Sequence, residues 1–254
     1  MLKMIAYFKT KSGINIAYNK VSCLEKRPGI VFLGGFRSDM EGTKALCLEE
    51  FSKVNNYSFI RFDYSGHGQS SGQFSEGTIG QWFQQSIDVI ANLTKGPQIL
   101  VGSSMGGWIS LLIAKRFPEL VKGLITIAAA PDFTNNNLLA NFSVTQLNEL
   151  EAGETHLPSE YGDPYIISKS LIYEARDHLI LNEPLSISAP VRFLHGTSDK
   201  SVCVSVAQQL FEHVKGKNIE LILLKDEDHR LSSDLALARI KSELKSLLES
   251  NKPN

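Results

Sequence analysis

Cysteine is scarce. Cys23, Cys47 and Cys203 are the only three in 254 residues, too few and too scattered for a disulfide framework or a structural zinc site. They read as reduced thiols in a reducing compartment. Charge excess is also missing: 26 basic residues face 27 acidic ones, a formal net charge of −1. Nothing in that balance attracts nucleic acid or an anionic membrane surface. No apolar run approaches the ~18 residues of a membrane span. Met1–Phe8 turns polar too soon for a secretory leader and lacks the Arg- and Ser-rich character of a transit peptide, so a cytoplasmic protein is expected. What is present is an ordinary globular composition, 43% hydrophobic and 21% charged, at a length suited to one domain, with or without an insertion. No internal repeat or low-complexity tract interrupts it.

Along the chain, short apolar runs alternate with helix-like segments. Met4–Phe8 and Ile14–Tyr18 flank a Lys-Thr-Lys-Ser-Gly turn and read as a β-hairpin. Strands are then expected at Ile30–Leu33, Ser58–Phe62, Ile99–Gly102, Val121–Ala128, Val191–Leu194 and Ile219–Leu224. Between them, helical spacing is read over Thr43–Val54, Thr78–Leu93, the segment ending at Arg116, Val202–Val214 and Leu231–Leu248. Strands alternating with helices imply an α/β fold, a mostly parallel sheet with an antiparallel N-terminal hairpin and helices on both faces. Over residues 133–188 the alternation lapses into Asn135-Asn136-Asn137, Gly153, Pro158, Gly162-Asp163-Pro164 and Pro184. That length exceeds a loop in a compact core, so it is read as a helical cap insertion within one domain, with helices near Leu138–Leu150 and Tyr165–Leu181.

The chemistry gathers around Gly102-Ser103-Ser104-Met105-Gly106, a Gly-x-Ser-x-Gly pattern between an expected strand and an expected amphipathic helix. In that context the pattern predicts a nucleophile elbow, with Ser104 in a strained turn and its Oγ raised above the sheet at a helix N-terminus. A serine hydroxyl needs a base, and the base needs an orienting acid. Sites in doubly wound sheets form at the carboxyl ends of the strands. Asp199 follows Leu194 by five residues and His229 follows Leu224 by five. The order Ser104, Asp199, His229 is the order of α/β-hydrolases.

The tetrahedral intermediate of acyl transfer needs two N–H donors. One is expected from Met105, the residue after the nucleophile; the other is assigned to Phe36, after Gly34-Gly35, with its position open by one residue. His195 reads as structural, its following Gly196 suggesting a turn, and His67 as a loop residue with substrate contact as the rival role. His156, His178 and His213 read as surface or cap residues. Asp63 is the rival acid, Asp226, Glu227 and Asp228 a solvated turn too near His229 to orient it, and Arg37 a solvated cation or an anion contact. Ser103 is out of frame with the glycines. No metal or other cofactor is expected.

With these residues in view the chain resembles the α/β-hydrolase superfamily over almost its whole length. Within it the chain is similar to the α/β-hydrolase domain-containing protein 10 branch, acyl-protein thioesterases and acyl-glucuronide esterases, with its bacterial relatives. The similar stretches are Gly42-Thr43-Lys44-Ala45-Leu46, Ile60-Arg61-Phe62-Asp63-Tyr64-Ser65-Gly66, Pro97–Ser104 with Gly106-Gly107-Trp108, and Asp228-His229-Arg230. The resemblance implies Ser104 as nucleophile, Asp199 as acid and His229 as base, acting on small or protein-linked S-acyl thioesters or activated oxygen esters. The Asn-rich part of the insertion departs most from that branch. A carboxylesterase or acyl-glucuronide esterase with little thioester activity, and a silent binding protein of the same fold, are the rival readings.

Overall fold

The computed structural model describes residues 5–23, 28–158, 164–182 and 184–250. Met1–Met4 and Gly162-Asp163, both used in the sequence reading, lie outside the described residues. The chain opens with strands Ala6–Lys9 (β1) and Asn15–Val21 (β2), then Ile30–Leu33 (β3), helix Thr43–Val54 (α1), Phe59–Phe62 (β4) and helix Ile79–Leu93 (α2). Gln98–Ser103 (β5), helix Met105–Arg116 (α3) and Val121–Ile127 (β6) follow. One sheet of eight strands carries these and the two strands Val191–Gly196 (β10) and Ile219–Leu224 (β12), in the order β1-β2-β4-β3-β5-β6-β10-β12. Pairing is antiparallel at β1·β2 and β2·β4 and parallel from β4 onward.

The central strands are apolar on both faces because both faces are covered. In β3, Val31 and Leu33 join the core beneath α2 and α3, while Ile30 and Phe32 join the one beneath α1 and the last helix, Asp234–Glu249 (α7). The remaining body helix is Val204–His213 (α6). Its Leu210 joins the α2/α3 side. α3 differs from the amphipathic expectation. All ten residues from Met105 to Ala114 are buried, because the sheet lies under one side and α2 with the inserted segment covers the other. β10 also runs two residues longer than expected, so His195 and Gly196 are strand residues and not a turn.

Between β6 and β10 lies a π-helical turn at Thr134–Leu139, helix Val144–Ala152 (α4), strands Glu154–Leu157 (β7) and Tyr165–Ser168 (β8), helix Lys169–Glu174 (α5) and a 3-10 turn at Ala175–His178. The two-residue strands Leu185–Ser186 (β9) and Val214–Lys215 (β11) pair in parallel beside the body. The segment is therefore not purely helical. β7 and β8 form an antiparallel hairpin, so residues 165–168 are strand where a helix was expected. The other expected helix breaks at Ser143, whose side chain accepts from the Gln146 amide while Gln146 Oε1 accepts from the Ser143 amide.

Candidate active site

β5 ends in the elbow. Ser104 has φ 53° and ψ −117°, a strained backbone held by its neighbours. Its amide donates to the Ile127 carbonyl and its carbonyl accepts from Gly107 and Ala130. The turn is tight enough to exclude side chains on either side. A Cβ at Gly102 would lie 2.3 Å from the Gly106 oxygen, and one at Gly106 would lie 2.1 Å from the Leu33 oxygen. Ser104 remains half-buried at the start of α3, where free helical N–H groups gather.

His229 and Asp199 reach Ser104 from the loops after β12 and β10. His229 Nδ1 lies 2.8 Å from Asp199 Oδ2, and His229 Nε2 lies 3.1 Å from Ser104 Oγ. A carboxylate only accepts, so Nδ1 carries the proton and Nε2 is left to accept from the serine hydroxyl. Asp199 Oδ1 accepts from the Ser201 and Val202 amides, both at 2.8 Å. Burial opposes the Asp199 charge, but the hydrogen bonds from His229, Val202 and Ser201 outweigh it and hold the carboxyl below its ordinary pKa. Behind the pair, buried His195 donates through Nε2 to the Val202 carbonyl at 2.9 Å and stands 3.4 Å from Asp199 Oδ2. It braces the acid loop.

The turn after β3 abuts the elbow: a Cβ at Gly35 would stand 3.3 Å from Ser104 Cβ. The Arg37 amide donates to His67 Nε2 at 3.1 Å and the Ser38 amide to the Gly35 carbonyl at 3.2 Å. The Phe36 N–H, one residue before Arg37, takes part in neither bond. His67 is buried among Tyr64, Phe74 and Trp82. Burial pushes its pKa down to about 4.

Asp63, the rival acid, is elsewhere. Its carboxylate accepts from the Met40 and Gln69 amides at 2.6 and 2.9 Å, and burial raises its pKa. Asp228 accepts from the Arg230 amide and Glu227 pairs with Ser233, so the acidic turn shapes its own loop. Arg37 is exposed, as its reading as a solvated cation expects. Its guanidinium donates to the Pro164 carbonyl and lies 5.0 Å from the Tyr165 ring centroid. Two residues missed in sequence support the site. Lys44 Nζ donates to the carbonyl of Arg230, beside His229, and burial lowers its pKa to about 8. Asp132 accepts from the Ile180 and Leu181 amides and so ties the two ends of the inserted segment. Among the described residues no cluster of three or more His, Cys, Asp or Glu side chains could hold a metal, and no helix is long and apolar enough to cross a membrane.

Comparison with known proteins agrees with this fold. The family described as alpha/beta hydrolase fold matches residues 41–154. Palmitoyl-protein thioesterase ABHD10, mitochondrial, of Homo sapiens is 41% identical over 223 residues, 85% of this chain and 71% of that protein. A solved putative hydrolase from Agrobacterium vitis S4 superposes with TM-score 0.91 at 33% identity, over 96% of this chain and 98% of that one. Alpha/beta hydrolase domain-containing protein 10 from mouse superposes with TM-score 0.89 at 35% identity, over 98% of this chain and 100% of that one.

Proposed function

The chain belongs to the alpha/beta hydrolase fold family and is a hydrolase acting on esters or thioesters; from that premise we propose that Ser104 is the nucleophile of an S-acyl-protein thioesterase working through an acyl-enzyme. The observation that carries the proposal is the unbroken chain from Asp199 through His229 to Ser104 Oγ. Its substrate class is supported by the 41% identity to a relative named palmitoyl-protein thioesterase.

In the proposed reaction Ser104 Oγ attacks the thioester carbonyl while His229 Nε2 takes its proton. Asp199 holds the imidazole and stabilises its charged form. The oxyanion accepts from the Met105 and Phe36 amides. Collapse breaks the C–S bond and His229 returns the proton to the leaving thiolate. Water, activated by the same imidazole, then breaks the Ser104 ester and releases the fatty acid. Residues 133–188 form the proposed cap, with Phe133 packed between Phe36 and the buried Trp108 at ring-centroid distances of 5.5 and 5.8 Å, so that the half-buried Phe36 and Phe133 rings suit an acyl chain.

Replacing Ser104 by Ala is expected to lower kcat by several orders of magnitude with the fold retained. A fluorophosphonate probe should label the parent protein at Ser104, read by peptide mass spectrometry. Unchanged hydrolysis in S104A rejects the assignment, and failure to label favours the binding-protein reading. Matched octanoyl thioester and oxygen-ester substrates test the class: kcat/KM higher on the oxygen ester favours a carboxylesterase or acyl-glucuronide esterase.

A further inference from the structure

The turn that carries Phe36 has few backbone bonds of its own and is held largely by side chains from elsewhere. It follows β3, leaves the sheet at Gly34, and reaches Arg37 with φ 55°, a left-handed conformation that an arginine adopts only when its surroundings impose it. Within the turn, the Ser38 amide and hydroxyl both close on the Gly35 carbonyl. The Arg37 amide turns the other way and donates to His67 Nε2, thirty positions further along the chain.

We propose that His67 is a positioning residue for hydrolysis, a rigid imidazole post that fixes the Arg37 peptide and thereby aims the Phe36 N–H at the oxyanion. The inference rests on the Ser104 reading above. A backbone amide can only donate and a backbone carbonyl only accept, which settles the ring's protonation. Nε2 accepts from Arg37, so Nδ1 carries the proton and donates to the Ser65 carbonyl at 3.1 Å. The same carbonyl accepts from Trp82 Nε1 at 3.1 Å, and Gln85 binds both the amide and the hydroxyl of Ser65. The post is thus bolted to α2. Tyr64, Phe74 and Trp82 ring centroids stand 5.5, 5.2 and 5.1 Å from the imidazole, leaving it no alternative orientation. Burial keeps the ring neutral at physiological pH, so Nε2 stays available as an acceptor. A protonated ring would set an N–H against the Arg37 N–H and push the turn away.

An oxyanion donor acts most strongly in the transition state, and losing one costs ~10²–10³ in kcat. Misaiming one should cost less and should spare ground-state binding. The test compares the parent protein with H67L and H67Q on an octanoyl thioester of N-acetylcysteamine, alongside thermal unfolding and the rate of Ser104 labelling by a fluorophosphonate. H67L, which removes the acceptor, is expected to lose about 10- to 100-fold in kcat with KM within about twofold, and to label more slowly by a similar factor. H67Q, whose Oε1 can accept from Arg37, is expected to recover most of kcat. Unchanged kcat in H67L, or equal losses in both variants, overturns the inference. Should H67L not fold, ¹⁵N NMR of the parent decides. Phosphonylation of Ser104 loads the oxyanion site and should shift His67 Nε2, and an unmoved resonance overturns the proposal. Absent labelling of the parent protein instead overturns the Ser104 reading, and the inference falls with it.

Discussion

Single residues at this site work through constraint. Gly106 is the sharpest case. A methyl group there would sit 2.1 Å from the Leu33 oxygen and 2.5 Å from the Gly34 oxygen, so accommodating it forces the elbow and the turn after β3 apart. Gly106→Ala is expected to destabilise by at least about 1–3 kcal/mol, read as a lower urea midpoint, and to cost activity as well. His67 adds a pH signature. Its folded-state pKa of about 4 lies below the ordinary 6.5, so between those values the unfolded chain binds a proton that the folded one does not. Stability should therefore fall as pH drops from about 6.5 towards 4. Urea midpoints of parent and H67Q at pH 7, 5.5 and 4.5 are expected to converge as the medium becomes more acidic. Asp199 works in a lower window: its depressed pKa gives stability that is present above the ordinary carboxylate value and lost as pH falls through the folded one.

Elements were legible in sequence where a local signal and the packing agreed. β3 and α1 begin and end where apolar runs and helical spacing place them, because each has one plain environment. The elbow strand, the acid loop and the His229 loop were legible for the same reason. α3 lost its amphipathic reading because burial on all sides erases the polar stripe that periodicity relies on. Tyr165–Ser168 lost its helical reading to a partner, Glu154–Leu157, that local pattern does not announce, although Ile166 and Ile167 favour a strand. The break at Ser143 did carry a signal, a Ser-x-x-Gln capping box, that helical spacing overrode. Nothing local in the sequence marks Asp132. Its partners lie 48 and 49 positions away, beyond any local signal. Removing that carboxylate leaves buried amides at Ile180 and Leu181 without their acceptor. Asp132→Ala should cost about 1–3 kcal/mol or more in urea unfolding, and limited proteolysis should cut residues 133–181 faster.

Over the whole molecule, the stretches that carry the resemblance divide into those that react and those that support. Ile60–Gly66 with the adjoining His67 supports the turn after β3. Arg61 donates to the Met40 carbonyl and Glu41, Asp63 accepts from the Met40 amide, and His67 accepts from Arg37. Gly42–Leu46 supports the opposite side, where Lys44 donates to the carbonyl next to His229. Ser104 sits where the two arms meet, and the bonds of Lys44 and His67 share no partner. Such arms should contribute independently. Lys44→Met keeps the apolar stem but removes the donor, and a shifted His229 should lower kcat by roughly 3- to 100-fold. Because oxyanion stabilisation persists when the base is impaired, the losses in K44M and H67L should multiply in the double variant to within about a factor of two. kcat measured on the four proteins decides: a double variant no slower than the worse single one would mean that both residues hold one shared element instead of two arms.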